Sequence, residues 1–275
     1  MQMEWFMQIV RSNGLNFVLE RRGSGEPLLF IGGTGWDLRD RPNPLDGPLA
    51  KHFEVILFDQ RGMGRSDKPE CDYSMADYAE DAAGILDALG IPSAHVVGFS
   101  FGGMVAQELA IRHPQKVRRL VLAGTTSGGA GGSSYPIHEF LDLEPEARAR
   151  RGLEVMDNTF TPEWQAANPA EAARLIRERM ILAARRADEP GLEEGKRRQL
   201  MARAQHDCFD RLHCIGAPTL VIAGERDGQA PVELARNLAD GIAGAQMVVV
   251  PGAHHTLLGG SPHAYDAMLA FLAKP

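Results

Sequence analysis

The sequence is poor in cysteine, in basic clusters and in long apolar runs. Its 275 residues include three cysteines, Cys71, Cys208 and Cys214, with no Cys-x-x-Cys pair. This spacing excludes a disulfide framework, a zinc ribbon and a thiol redox motif, and it favours a cytoplasmic protein with reduced thiols. The 29 basic and 36 acidic side chains give a net charge of −7. Neither nucleic acid nor an anionic membrane is therefore an expected partner.

Sequence signals for membrane targeting or insertion are also missing. The first fourteen residues lack the basic start and the apolar stretch of a signal peptide. The uncharged run 91–107 is interrupted by proline, serine, histidine and glycines, so we expect no membrane span there. With 44% hydrophobic and 24% charged residues, the composition is that of an ordinary globular protein.

Short aliphatic runs recur along the chain, and each is followed by glycines or by a helical pattern. They are nearly continuous rather than alternating, which is typical of parallel strands covered on both faces. Residues 5–22 predict an antiparallel hairpin with its turn at Asn13-Gly14. The pattern as a whole predicts an α/β fold with a mostly parallel eight-stranded sheet. The six predicted parallel strands are Leu28–Ile31, Val55–Phe58, His95–Gly98, Leu120–Ala123, Thr219–Ala223 and Met247–Val250.

Helical patterns separate these strands. Ser74 is placed to cap a helix whose third helical residue is Asp77, and Gly90 supplies the expected end of that helix. A second helix is predicted from about Phe101 to His113, where Pro114 follows. A last helix is predicted from about Pro262 to Ala273. Helices of this kind are expected on both faces of the sheet.

One long segment interrupts the alternation of strand and helix. Residues 139–210 hold 15 acidic and 12 basic side chains among 72 residues and show no strand pattern. Thr161-Pro162 and Asn168-Pro169 each place a capping residue before a proline at the first helical position. The connection is far too long for an ordinary crossover. We therefore predict a helical cap over residues 128–210, inserted into a core domain of residues 1–127 and 211–275.

The strongest local motif is the run 98–102, GFSFG, with Gly103 behind it. It follows the predicted strand HVVG and opens a helix, so Ser100 stands at a sharp strand-to-helix turn. Such a turn strains the serine backbone and requires small neighbours two positions away on either side, which here are Gly98 and Gly102. The turn would expose the hydroxyl and aim the Phe101 N–H at the same space, near a helix N-terminus that favours negative charge.

A serine hydroxyl needs a base and an orienting carboxylate to act as a nucleophile. His254 and His255 follow the last predicted strand, and position alone does not separate them. Asp227 and Glu225 follow the strand before it, and Asp227 is preferred because the turn after it can point its side chain inward. The carboxyl ends of parallel strands meet at one sheet edge, so these groups should lie near Ser100.

The chain order of Ser100, Asp227 and His255, the serine turn and the inserted cap together resemble the α/β-hydrolase superfamily. Residues 59–66, DQRGMGRS, are similar to a recurring loop of that superfamily that is mainly structural. Pro262 stands seven residues after His255, which is the usual spacing of the superfamily and selects His255 over His254. The resemblance covers nearly the whole chain and implies a Ser-Asp-His triad.

The resemblance also implies an oxyanion hole, with one departure. Many members carry His-Gly-x after the third strand, whereas this chain has the run 31–36, IGGTGW. The glycines permit close backbone approach, so the expected donors are the N–H of Phe101 and that of Gly33 or Thr34. Trp36 and the ring of Phe101 are candidates for lining the acyl pocket; the alternative for Trp36 is that it packs under the cap.

These features predict a serine hydrolase that cleaves a small or medium carboxylic ester, lactone or thioester through an acyl-enzyme. A carbon–carbon bond hydrolase, an enol-lactonase and a cofactor-free haloperoxidase are alternatives, since the superfamily uses one triad for all of them. A ligand sensor with slow turnover is an alternative of a different class. The expected partner is a small carbonyl compound, and a homo-oligomer is possible. No cofactor or metal is expected, and a cap arginine (Arg174, Arg177 or Arg179) is a candidate for a substrate carboxylate.

Overall fold

A computed structural model describes residues 6–259 and 261–274 of the protein. Its eight strands form one sheet in the order β1-β2-β4-β3-β5-β6-β7-β8, in which β1, β2 and β4 pair antiparallel and the other neighbours pair parallel. The predicted eight-stranded, mostly parallel sheet is therefore confirmed. The strands are β1 (Phe6–Ser12), β2 (Leu15–Arg22), β3 (Pro27–Ile31), β4 (Glu54–Phe58), β5 (Ala94–Phe99), β6 (Val117–Ala123), β7 (Thr219–Gly224) and β8 (Gln246–Val250).

The N-terminal hairpin turns where the sequence predicts it. Asn13 and Gly14 have φ angles of 50° and 78°, the paired left-handed conformations that a two-residue turn of this twist requires. Asn13 is further held because its side-chain amide donates to Asp81 at 3.2 Å. Residue 5, where the hairpin prediction began, lies outside the described residues.

Apolar side chains fill both faces of the sheet. One hydrophobic cluster packs between the sheet and α1 (Met75–Ala88), α2 (Phe101–Arg112) and α7 (Val232–Gly241). The second packs against α8 (Pro262–Leu272) and the short helical turns before β4. All six residues of β5 and all six of β7 are buried. Both strands therefore end in rigid, fully packed positions, which is what a site at their carboxyl ends requires.

The first helix begins as predicted. The Ser74 hydroxyl accepts from the Asp77 N–H at 3.2 Å, and the Asp77 carboxylate accepts from the Ser74 N–H at 2.9 Å. This reciprocal pair satisfies backbone donors that a helix start leaves free. Gly90 follows the helix with a left-handed φ of 69°. Both ends of α1 are thus fixed by residues that the sequence identifies.

Four helices lie between β6 and β7: α3 (Pro145–Met156), α4 (Pro162–Ala167), α5 (Pro169–Ala184) and α6 (Leu192–Ala204). Thr161 caps α4 as predicted, since its hydroxyl accepts from the Trp164 N–H at 3.2 Å. Asn168 makes no such cap for α5. Its side-chain amide instead donates to the Trp164 carbonyl at 2.9 Å, which also accepts the Asn168 backbone N–H at the end of α4. Within the described ranges, no helix is long and apolar enough to cross a membrane.

Candidate active site

Ser100 occupies a strained turn between β5 and α2. Its φ and ψ angles are 54° and −118°, in a region that side-chain-bearing residues rarely adopt. A Cβ at Gly102 would lie 2.0 Å from the Ile31 carbonyl oxygen, and one at Gly98 would lie 2.5 Å from the Gly102 carbonyl oxygen. Only glycine fits at either position. The turn therefore has the geometry that the GFSFG motif predicts.

Ser100, His255 and Asp227 form one hydrogen-bonded chain. The Ser100 Oγ lies 2.9 Å from the His255 Nε2, and the His255 Nδ1 lies 2.8 Å from the Asp227 Oδ2. The Asp227 Oδ1 accepts from the backbone N–H groups of Gln229 and Ala230, both at 2.8 Å. All three members of the chain are at most 5% exposed. A proton can therefore pass from the hydroxyl to an imidazole whose orientation the buried carboxylate fixes.

The two sequence alternatives to His255 and Asp227 lie outside the hydrogen-bonded triad. His254 is exposed, and its Nδ1 accepts from the Thr256 N–H at 3.3 Å. Glu225 is also exposed and accepts from the Gly252 N–H at 2.7 Å. The structure therefore brings Asp227 and His255, and not their neighbours, to Ser100.

The backbone around Ser100 offers a place for a developing negative charge. Phe101 is the first residue of α2, so its N–H has no acceptor within the helix. Gly33 lies directly against the serine, since a Cβ there would stand 3.4 Å from the Ser100 Cβ. The loop that contains Gly33 is further fixed by a hydrogen bond, since the Gln60 amide donates to the Gly32 carbonyl at 3.0 Å. Thr34 follows, half-buried, so Gly33 and Thr34 both remain candidate donors.

The two aromatic candidates for the acyl pocket differ in position. The Phe101 ring is fully buried and packs edge-on against Tyr78 with ring centres 4.8 Å apart. It therefore belongs to the core, and only its backbone faces the site. Trp36 is half-buried and packs against Phe30 and Phe99, whose ring contacts that of His255 at 5.5 Å.

The DQRGMGRS loop supports the strand ends without contributing to the triad. Asp59 is completely buried and accepts from the Leu38 N–H at 2.7 Å and from the Arg65 N–H at 2.9 Å. Burial raises the pKa of this carboxyl to about 6. Arg61 forms a buried two-point pair with Asp81, at 2.5 and 2.7 Å. The loop thus joins β4, α1 and the turn after β3 into one rigid base.

Two glutamines that the sequence analysis did not single out complete the site. The Gln229 amide nitrogen lies 2.9 Å from the His255 Nε2 and 3.5 Å from the Ser100 Oγ. Gln199, from α6, is fully buried, and its side-chain oxygen accepts from the Gly35 N–H at 2.8 Å. Gln229 could have been predicted near the site, because it lies two residues after Asp227. Gln199 could not, because it is 164 residues from its partner Gly35 in sequence.

The cap arginines proposed as carboxylate ligands lie on the solvent side. Arg174 pairs with Glu171 and Glu178 within its own helix. Arg177 lines an open cavity of about 840 Å³ between α3, α4 and α5, and none of the triad residues lines that cavity. Arg179 is exposed as well. These three positions therefore give no support to the carboxylate alternative.

Comparison with known proteins agrees with this architecture. Residues 26–261 match a family model described as the alpha/beta hydrolase fold. The chain belongs to the α/β-hydrolase family. The 2-hydroxymuconate semialdehyde hydrolase of Pseudomonas sp. (strain CF600) is 36% identical over 250 residues, which cover 86% of this chain and 82% of that protein. A protein inferred to be a carbamate hydrolase, from Azorhizobium caulinodans, is 30% identical over 258 residues, covering 91% of this chain and 92% of that protein.

Solved structures share the same architecture. The enol-lactonase from Burkholderia xenovorans LB400 has a TM-score of 0.77, is 23% identical and covers 97% of this chain and 100% of its own. At that identity, the likeness shows the fold alone. The α/β-hydrolase chain described here is thus similar to proteins whose names give different substrates: a semialdehyde, a carbamate and an enol-lactone.

Proposed function

We propose that Ser100 is the nucleophile of a hydrolase that acts on a small carbonyl compound. The observation that carries the proposal is the continuous hydrogen-bonded chain from Ser100 through His255 to Asp227. His255 takes the hydroxyl proton as the Ser100 oxygen forms a bond to the substrate carbonyl carbon. Asp227 holds the imidazole in the tautomer whose Nε2 is free to accept, and it stabilises the imidazolium.

The tetrahedral oxyanion is then stabilised by backbone donors. We propose the N–H of Phe101 as one donor and the N–H of Gly33 or Thr34 as the other, because both segments adjoin Ser100. Such fixed donors stabilise charge that develops only in the transition state. His255 returns its proton to the leaving group as the tetrahedral intermediate collapses. It next takes a proton from water, whose oxygen forms a bond to the acyl carbon. The bond between the acyl carbon and the Ser100 oxygen then breaks, His255 returns the proton to that oxygen, and the acyl group leaves as a carboxylic acid.

Carbon–carbon bond hydrolysis is the reaction class that the comparisons favour over ester hydrolysis. The supporting similarity is to 2-hydroxymuconate semialdehyde hydrolase, which covers 86% of the chain. The leaving group would be a carbanion conjugated with a second carbonyl, and His255 would protonate it. The enclosed site supports this step, since Ser100 is 4% exposed and water that could compete as a proton source is largely excluded.

Ester, lactone or thioester hydrolysis is the second candidate, because the same triad and oxyanion donors serve an oxygen or sulfur leaving group. The likeness to an enol-lactonase supports this candidate to the extent that the same fold serves a lactonase. Trp36 remains a proposed substrate contact in either case, since its half-buried ring adjoins Gly32, which directly precedes the candidate donors Gly33 and Thr34.

We also propose the division of the chain into a core of residues 1–127 and 211–275 and a cap of residues 128–210. The two ends of the cap lie side by side, which supports this division. The Cys208 N–H donates to the Ser127 carbonyl at 2.9 Å, and Gly128 forms an antiparallel bridge with Asp207. A segment whose ends are paired in this way can be inserted into a loop of the core without displacing β6 or β7.

The test is a comparison of kcat/KM for 2-hydroxy-6-oxohexa-2,4-dienoate, a vinylogous dicarbonyl compound, and for p-nitrophenyl butyrate. We expect the dicarbonyl compound to be cleaved faster. Faster turnover of the ester would favour the second candidate. A single burst of product with little afterwards, from both compounds, would favour a slow ligand sensor and overturn both.

Ser100→Ala should lower turnover of the preferred compound by about 10⁴ or more. The matched control is Ser24→Ala, which changes an exposed loop serine and should leave turnover unchanged. A fluorophosphonate should label Ser100 in the unaltered protein. Near-normal turnover by Ser100→Ala, or labelling at another residue, would refute the role proposed for this serine.

A further inference from the structure

A small polar cavity lies where the cap joins the core. Its volume is about 60 Å³, which is several times what one water molecule needs. Both ends of the proposed cap contribute to it: Thr126 and Gly128 after β6, and Arg203 and His206 at the end of α6. The complete lining is Met104, Thr126, Gly128, Ser133, Ser134, Pro136, His138, Arg203, Ala204 and His206, which includes no acidic side chain.

Arg203 is the charged group of this cavity and is 4% exposed. Its Nη1 donates to the Tyr135 carbonyl at 2.9 Å. Its Nε and Nη2 are buried without a hydrogen-bond partner, and no carboxylate within the described residues lies within 4 Å of the guanidinium. Burial without a counter-charge lowers the pKa of Arg203 to about 10. An isolated buried charge of this kind is costly unless a ligand balances it.

Two more buried polar atoms on the cavity wall, the Thr126 Oγ1 and the His138 Nδ1, have no protein partner within the described ranges. Thr126 is completely buried and His206 is 4% exposed. Burial lowers the pKa of His206 to about 4, so its ring is neutral near pH 7. The cavity therefore places one fixed positive charge beside the uncharged side chains of Thr126 and His206.

We propose that this cavity binds a carboxylate group through Arg203 and Thr126. The Nε and Nη2 of an arginine are the two parallel donors that grip both oxygens of a carboxylate, and here they are the two left free. The Thr126 hydroxyl supplies a third donor. The volume admits a carboxylate with a short alkyl group and excludes a nucleotide or a sugar phosphate.

The carboxylate has two potential sources, a substrate that also reaches the triad or a separate small acid. The cavity adjoins the active site through backbone contacts. The Met104 N–H donates to the Ser100 carbonyl at 3.3 Å, and the Tyr135 N–H donates to the Gln229 carbonyl at 2.9 Å. The substrate source rests on the proposed function, whereas binding of a carboxylate as such does not.

The first experiment measures acetate binding to the complete chain carrying Ser100→Ala, so catalysis is not needed. Thermal melts in sodium acetate are compared with melts in sodium chloride at equal ionic strength, over a concentration series. We expect acetate to raise the melting temperature in a saturable manner. Arg203→Met should weaken the acetate affinity by about tenfold or more, and Arg197→Met, an exposed arginine of the same helix, should not.

Two further variants keep this test informative if Arg203→Met fails to fold. Arg203→Lys retains the charge but loses the two-point grip, and Thr126→Val removes only the hydroxyl. Both should weaken acetate binding while Arg197→Met does not. Equal melting temperatures in acetate and chloride, or acetate binding that survives every cavity variant, would overturn the proposal.

The second experiment identifies the source of the carboxylate. It compares kcat/KM for p-nitrophenyl butyrate and mono-p-nitrophenyl glutarate, which share a short acyl chain but differ in a terminal carboxylate. If the substrate is the source, Arg203→Met should lower the glutarate-to-butyrate ratio by about tenfold or more, and Arg197→Met should not. An unchanged ratio together with acetate binding would assign the cavity to a separate acid. No turnover of either ester would count against ester hydrolysis only, because the acetate melts test the cavity by themselves.

Discussion

The proposed core and the proposed cap of this protein are stabilised in different ways. Two large apolar clusters cover the sheet of the core, and its strands β5 and β7 are entirely buried. The cap has a separate cluster with four buried residues, Ala149, Phe160, Ala172 and Ile176. Apolar burial therefore fixes the strand ends that hold the triad, while the cap contributes little apolar area of its own.

Polar contacts join the cap to the core beside the triad. The His255 N–H donates to the Met156 carbonyl at 2.8 Å, and Gln199 accepts from Gly35. Arg39 pairs with Glu189 at 2.6 Å, and Arg186 pairs with Asp40. Water can replace the partly exposed ion pairs among them at small cost. The polar contacts thus border a nucleophile, Ser100, that is only 4% exposed.

The largest expected effect is on catalysis, from a change within the core. Asp227→Asn should lower kcat by about 10⁴. The Asp227 Oδ1 accepts two backbone N–H groups, so an asparagine would keep its oxygen there and turn its amide nitrogen toward His255. The imidazole would then carry its proton on Nε2 and could not accept from Ser100. Steady-state kinetics measure the effect, and Glu225→Gln is the exposed control. A loss of less than about tenfold would contradict this role.

The next effect is on stability and compares the core with the cap directly. Asp81→Asn should lower the free energy of unfolding by about 3 kcal/mol, because it removes the buried carboxylate that pairs with the Arg61 guanidinium at two points. The remaining partner of Arg61 is the more exposed Asp77, at 3.6 Å. Arg174→Ala, which removes the two ion pairs on the outer surface of α5, should leave the free energy of unfolding unchanged. Urea unfolding measures both. Similar losses for the two variants would contradict the contrast between core and cap.

The third effect depends on pH and lies where the two regions meet. His206 has an ordinary pKa of 6.5 when unfolded, and burial lowers the pKa of His206 to about 4 in the folded protein. The unfolded state binds more protons between these values, so the contribution of His206 is complete above pH 6.5 and declines as the pH falls toward 4. This loss is about 3 kcal/mol.

His206→Gln should therefore reduce the fall in unfolding free energy between pH 7 and pH 4, as measured by urea unfolding at each pH. Burial raises the pKa of Asp59 to about 6, and its contribution changes in the opposite direction. It is present in both proteins and cancels in their difference. The control is His213→Gln, at an exposed position. Parallel pH profiles for the unaltered protein and His206→Gln would contradict this account.

The smallest effect tests Gln229, which belongs to the core but also contacts the cap segment through Tyr135. Its amide nitrogen lies 2.9 Å from the His255 Nε2 and 3.5 Å from the Ser100 Oγ, where it can help to hold the imidazole beside the hydroxyl. Gln229→Leu should therefore lower kcat/KM by about tenfold or less. The exposed Gln205→Leu should leave kcat/KM unchanged. An unchanged kcat/KM for Gln229→Leu would show that Gln229 has only a packing role.

Sequence reasoning succeeded where a few neighbouring residues fix the geometry. The Asn13-Gly14 turn, the Ser74 cap and the strained Ser100 turn all follow from local backbone sterics and hydrogen bonding. The prediction that Asn168 caps α5 was wrong, because its side chain instead donates to the Trp164 carbonyl at the end of α4. Sequence reasoning also named the Phe101 ring as a candidate for lining the acyl pocket, whereas that ring packs on Tyr78, which lies 23 positions earlier in the chain.

By itself, the sequence determined the strands, the serine turn and the strand ends at which a carboxylate and an imidazole would meet. Those features depend on local steric limits and on the rule that parallel strands end at one edge of a sheet. Only the tertiary structure decided that the Phe101 ring packs in the core, that Gln229 lies beside His255 and Ser100, and that Arg203 is buried without a counter-charge. These outcomes depend on how distant segments pack, because burial and hydrogen-bond partners belong to the assembled fold and not to any short run of residues.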